Sequence, residues 1–156
     1  MIQKWETFHG GGKRLDEELK GEIKAIAEAT DNLGDKEAKN AAAEKGWKTS
    51  ESVIGEFNWK FDAYKDRVAI EFERGDQTKA RWNWIKFELA NREVPEIEDV
   101  GDIPEIDLGI LIVTEEDDYG GANMERCINE LNSEVFDGTL EIEVPMVVAE
   151  FDTSSS

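Results

Sequence analysis

The sequence is poor in the residues that most often mark a chemistry. It has one cysteine, Cys127, one histidine, His9, and three prolines in 156 residues. A single cysteine excludes an internal disulfide and suits a reducing, cytoplasmic setting. With one histidine and one cysteine there is no zinc-ligand spacing. The N-terminal Met1-Ile2-Gln3-Lys4-Trp5-Glu6-Thr7-Phe8-His9 lacks the apolar core of a signal peptide. No apolar run is long enough to span a bilayer, so no membrane role is expected. Basic residues are nearly missing from one end. Residues 93–156 hold Arg126 against 19 acids, a net of −18, whereas residues 1–92 hold 17 bases against 18 acids. Two explanations compete for a net charge of −19. One is adaptation to a salt-rich cytoplasm, in which an acidic surface keeps the chain hydrated. The other is mimicry of nucleic acid, aimed at a DNA-binding partner. The length fits one domain, expected over residues 1–151, with 152–156 as a disordered tail.

The chain is organised around residues 57–73, which read as a β-hairpin. Phe57, Trp59 and Phe61 alternate with Asn58, Lys60 and Asp62; Val68, Ile70 and Phe72 alternate with Ala69, Glu71 and Glu73. Period-two alternation is the mark of half-buried strands. With residues 64–67 as the turn, Asp62 falls opposite Ala69. Asp62, Glu71 and Glu73 then share one face, and Trp59, Phe61, Ile70 and Phe72 fill the other. Close carboxylates persist only if solvated, protonated or bridged by a cation. Hard oxygen ligands suit Mg²⁺, which keeps several waters and binds one or two carboxylates plus a phosphate oxygen. Asp62, Glu71 and the Phe72 carbonyl are the candidate ligands, and Glu73 the candidate for orienting or deprotonating a water. The alternative is a hairpin with a wet acidic face.

Elsewhere, Leu15, Leu19, Ile23 and Ile26 form an apolar stripe predicting a helix from about 15 to 29, after a Phe8-His9-Gly10-Gly11-Gly12 loop without packing. Residues 35–45 predict a second, partly exposed helix closed by Gly46. A strand is expected from about Ser52. Thr78 is a candidate N-cap for a helix over 79–92 with Trp82, Ile85 and Leu89 on its apolar side. Residues 93–105 read as an acidic loop, and 106–114 as a central strand covered on both faces. Met124, Cys127, Ile128 and Leu131 mark a short helix, and alternation from Leu140 through Val144 leads into a last strand ending at Phe151. The order predicts an α/β fold, a mixed sheet flanked by helices on both faces. Lys60, Lys65, Arg81 and Lys86 are candidate phosphate contacts or solvated bases. Glu22 is a candidate to complete the metal site or a solvated helix acid. Trp82 and Trp84 are candidates to stack on bases but are expected in the core, as is an inert Cys127.

Taken together these segments resemble the BglII/BstYI-like group of type II restriction endonucleases, in the PD-(D/E)xK nuclease superfamily. That group carries an Asp on the first hairpin strand and, nine residues on, Glu-x-(Glu/Gln/Lys); here these are Asp62 and Glu71-Phe72-Glu73. Phe61 to Glu73 is similar to its ID-x-x-K-N-R-V-A-x-E-V-x stretch, with Asp66 at the central Asn. Ile106-Asp107-Leu108-Gly109-Ile110-Leu111-Ile112 is similar to its ID-x-G-I-x-I strand. Phe8-His9-Gly10-Gly11-Gly12 with Glu22-Ile23 resembles its S-H-x-N-G … E-I. The resemblance implies a restriction-endonuclease-like core and a cytoplasmic homodimer that cuts a short palindromic site in double-stranded DNA with Mg²⁺. It implies 5′-phosphate ends and a cognate methyltransferase. Asp62 and Glu71 match the metal carboxylates and Glu73 the third position. A glutamate there cannot lend positive charge to a phosphate, which favours a second metal or a water-orienting role. The competing functions are an inactive nuclease fold that only binds, and an acidic DNA mimic that inhibits.

Overall fold

The computed structural model describes residues 1–30, 35–54, 59–74, 77–92, 105–114 and 123–152, with backbone only at 35, 50–54 and 59. Six strands form one mixed sheet in the order β1-β6-β5-β4-β3-β2. They are β1 (Ile2–Phe8), β2 (Lys48–Ile54), β3 (Trp59–Lys65), β4 (Val68–Glu73), β5 (Leu108–Thr114) and β6 (Met146–Phe151). β4, β5 and β6 are mutually parallel, and the outer pairings β1–β6, β3–β4 and β2–β3 are antiparallel. Every residue of β4, β5 and β6 is buried, as an apolar run covered on both faces requires.

The helices divide between the faces. α1 (Glu17–Ala27) and α2 (Asp35–Glu44) cover one side: Ile23, Ile26, Ala38, Ala41 and Ala42 pack on Ile70, Phe72, Ile110, Ile112 and Val147. α3 (Gln77–Asn91) and α4 (Met124–Leu131) cover the other, where Ala80, Trp84, Phe87, Met124 and Cys127 meet Ala69, Leu111, Val113 and Val148. Among the described residues no helix is long and apolar enough to cross a membrane.

Several expectations shift. Residues 2–8 form an edge strand, and β2 begins at Lys48 rather than near Ser52. The glycine loop does pack: Gly11 heads a 3₁₀ turn, and a Cβ there would stand 2.3 Å from the Met146 carbonyl oxygen. α3 begins at Gln77, so Thr78 lies inside it. The buried side of α3 is Ala80, Asn83, Trp84 and Phe87; Trp82 is 52 % exposed, outside the core. Apolar residues surround that helix, so the sequence carried no single stripe to read. Residues 134–139 form a π-helical turn; the alternating Leu140–Val144 segment is not strand, while the last strand spans Met146–Phe151 as expected. Asp152 is not frayed: its backbone bonds Met1 and its carboxylate accepts from Gln3. The acidic loop over 93–104, the expected loop over 115–121 and the 153–156 tail lie outside the described residues.

Candidate active site

The hairpin turn is tighter than the sequence suggested. Lys65 pairs with Val68, Tyr64 with Ala69 and Ala63 with Ile70. Asp66 and Arg67 alone make the turn, both at positive φ (49° and 65°), the two-residue geometry whose twist suits a hairpin. Asp tolerates that conformation because its short polar side chain bonds locally. The register therefore differs by two residues from the one expected, and its continuation sets Asp62 opposite Glu71 instead of Ala69. An even shift keeps faces intact.

One face assignment fails for another reason. Phe61 lies in the α3 cluster, stacked on Phe87 at 5.9 Å, while Ala63, two residues on, lies in the α1/α2 cluster. Alternation breaks between them, so Phe61 does not share the face of Ile70 and Phe72. The chain turns over at Asp62. The β3–β4 ladder stops at Ala63–Ile70, and the Phe72 N–H donates to Asp62 Oδ2 at 2.9 Å in place of a strand carbonyl. The hairpin forks here, and the carboxylates of Asp62 and Glu71 sit at the fork.

Each carboxylate meets a lysine from a different layer. Lys39 of α2 lies 2.8 Å from Asp62 Oδ1. Lys86 of α3 donates to Glu71 Oε1 and, at 2.9 Å, to the Lys60 carbonyl, with its ammonium 5.9 Å from the Phe61 ring centroid. Burial pushes the Glu71 carboxyl well above the ordinary glutamate range, and the adjoining Asp62 charge adds to the rise; Lys86 opposes both. Glu73 is buried on the same side of β4, two residues beyond Glu71. The pair of hard carboxylate oxygens at Asp62 and Glu71 fits a divalent ion that keeps most of its waters. Among the described residues, no three His, Cys, Asp or Glu side chains are grouped as ready ligands.

Most of the remaining candidates are engaged elsewhere. Glu22 accepts from Trp47 Nε1 at 3.0 Å and from Lys65 at 2.7 Å. Burial raises its carboxyl, but those two bonds and the nearby Lys65 and Lys45 charges hold the group below its usual range. Arg81 makes a two-pronged bond to Glu130 of α4. Lys60 is exposed. Trp84 and Cys127 are buried as expected, and burial pushes the Cys127 thiol up to about 12. Lys39 was missed: a lysine in an alanine- and charge-rich helix carries no signal of what it will face.

Asp107 has a structural duty. Its N–H donates to the Arg67 carbonyl at 2.7 Å and its carboxylate pairs with Arg67, which ties the turn to the start of β5. Gly109 follows because Phe87 lies over it; a Cβ would stand 2.5 Å from the ring.

No family model matches the sequence, and no curated protein does. Solved structures do match. The restriction endonuclease BglII complexed with a DNA 16-mer aligns with a TM-score of 0.74 and 17% identity, over 96% of this chain and 77% of that one. Free BglII aligns with a TM-score of 0.58 and 13% identity, over 97% and 79%. The mixed sheet, the helices on both of its faces and these alignments together show that the chain has the restriction-endonuclease-like fold.

Proposed function

We propose that the chain is a DNA phosphodiester hydrolase of the restriction type, dependent on Mg²⁺ and cutting a short palindromic site as a homodimer. The observation that carries this reading is the convergence of Asp62 and Glu71 at the β3–β4 fork, in a sheet that aligns with a DNA-cutting enzyme. Asp62, Glu71 and the Phe72 carbonyl would hold the ion, which when bound activates water and offsets charge on the phosphate. Glu73, next along the same face, orients the attacking water or takes its proton. The water oxygen bonds to phosphorus, the bond to the 3′ oxygen breaks, and a 5′-phosphate end remains. Lys60, Lys65, Arg81 and Lys86 are proposed to meet the DNA backbone, the last three by exchanging their present carboxylate partners for phosphates. Glu22 supports the site through Lys65. A cognate methyltransferase would protect the host DNA, and the acidic surface reflects a salt-rich cytoplasm.

A second reading, a nuclease fold that binds DNA without cutting, is favoured by the lysines that hold both carboxylates. Plasmid incubated with Mg²⁺ across a salt series, beside Asp62→Ala, separates the two. Discrete fragments from the parent alone support hydrolysis. Retention of DNA by both proteins without cuts supports the second reading. Capture of a basic partner and no DNA would point to mimicry instead.

A further inference from the structure

The lysines at the fork come from helices that lie on opposite faces of the sheet. Lys39 stands on α2, packed on the Ile70–Phe72 side; Lys86 stands on α3, packed on the Ala69–Leu111 side. Their ammonium groups nonetheless converge on two neighbouring carboxylates across the edge where β3 leaves β4. Neither is a loose surface pair. The Lys86 side chain is 13 % exposed and that of Glu71 5 %. Lys39 and Asp62 are 24 % and 16 % exposed. Lys86 is further fixed by the Lys60 carbonyl and the Phe61 ring, so three separate groups hold its ammonium in place. Asp62 is fixed too, since its second oxygen accepts the Phe72 N–H. The oxygens that would ligate a cation are thus already facing cations that belong to the chain.

We propose that Lys39 and Lys86 are resident counter-cations of the Asp62–Glu71 pair, holding the two carboxylates together without a divalent ion and yielding their places when one binds. The inference rests on the reading of Asp62 and Glu71 as metal carboxylates. A doubly charged ion cannot share these oxygens with two ammonium groups at contact distance without strong repulsion. Binding therefore requires both lysines to withdraw, and the lysines set the affinity. On withdrawal, each ammonium stays within a side chain's length of the site and can meet a phosphate there.

The test uses the full chain and Mn²⁺ alone. Free Mn²⁺ is followed by electron paramagnetic resonance during titration of the parent, Lys39→Met, Lys86→Met and Lys86→Arg. Melting is recorded for each with and without the ion. Removing one neighbouring positive charge should tighten Mn²⁺ binding about tenfold or more in each Met variant. Lys86→Arg should stay close to the parent. Each Met variant should melt lower than the parent without Mn²⁺ and recover most of the difference with it. A lysine that merely supports the fold gives a lower melting temperature that Mn²⁺ does not restore. Affinities unchanged from the parent, or no Mn²⁺ binding by any form, overturn the proposal. Should Lys86→Met fail to fold, the more exposed Lys39→Met decides by the same criteria. Tightened Mn²⁺ binding without plasmid cleavage by the parent would sink the hydrolase reading and leave this one standing. Cleavage with unaltered affinities would do the reverse.

Discussion

The β3–β4 hairpin meets carboxylates at both of its ends, and the two ends treat them in opposite ways. At the turn, Arg67 bonds Asp107 and Glu105 in water-accessible pairs, and the bond from Arg67 holds the Asp107 carboxyl below its usual range. At the fork, burial lifts the Glu71 carboxyl above its range even though Lys86 touches it. The signs of charge match; the solvent does not. Where water can reach, a salt bridge simply favours the charged form and adds little stability. Where it cannot, the pair bears a desolvation penalty that its attraction only partly offsets. The turn end locks a connection, and the fork end holds two carboxylates against two lysines of the chain.

The sharpest way to break this contrast is by activity. Asp62→Ala and Glu71→Ala should abolish cleavage of plasmid DNA, while Asp107→Ala at the turn should still cut; equal losses at both ends would erase the distinction. Stability comes next. Lys86→Met strands a buried carboxylate and should cost about 3–5 kcal/mol in urea unfolding, the usual penalty for breaking a buried pair. Arg67→Met, at an exposed pair, should lower the urea midpoint far less.

Dependence on pH should then differ in sign. A carboxyl raised in the folded state favours folding most at low pH and loses that contribution as pH rises through its folded value. The stability of the parent relative to Glu71→Gln should therefore fall as pH rises above the ordinary glutamate range. A lowered carboxyl contributes above its ordinary range and loses that as pH falls. The parent's advantage over Asp107→Asn should shrink on acidification, and thermal melts across the series read both trends. The smallest effect should be that of salt on the individual pairs. Screening weakens the accessible turn pairs and leaves the fork nearly untouched. Beneath both, molar KCl should raise the melting temperature of the whole chain, because it screens repulsion within a net charge of −19. A melting temperature indifferent to KCl would remove the case for salt adaptation.

Much of the fold was legible because it rested on local periodicity. The apolar run over 106–114 marked a doubly covered strand, and β5 is buried at every position. Met124, Cys127 and Leu131 marked the buried side of α4 correctly. Asp62 and Glu71 stood out through their spacing on the hairpin, and they do lie within reach of each other, although the turn was assigned two residues too many and the alternation breaks at Asp62. Where pattern was ambiguous, reading failed. In α3 the apolar residues encircle the helix, so Trp82 was taken for core. Residues 2–8 mix charge with bulk, and nothing local marks them as the strand that β6 recruits.

By itself the sequence determined the doubly covered central strand, the helix stripes, the acidic imbalance and the two carboxylates on neighbouring strands, since each depends on residues close together along the chain. Only the tertiary structure decided that β3 turns over at Asp62, that Phe72 gives its N–H to that side chain, and that Lys39 and Lys86 meet at the fork from opposite layers. Those outcomes depend on which surfaces are excluded from water, and exclusion is settled by elements far apart in sequence when they pack.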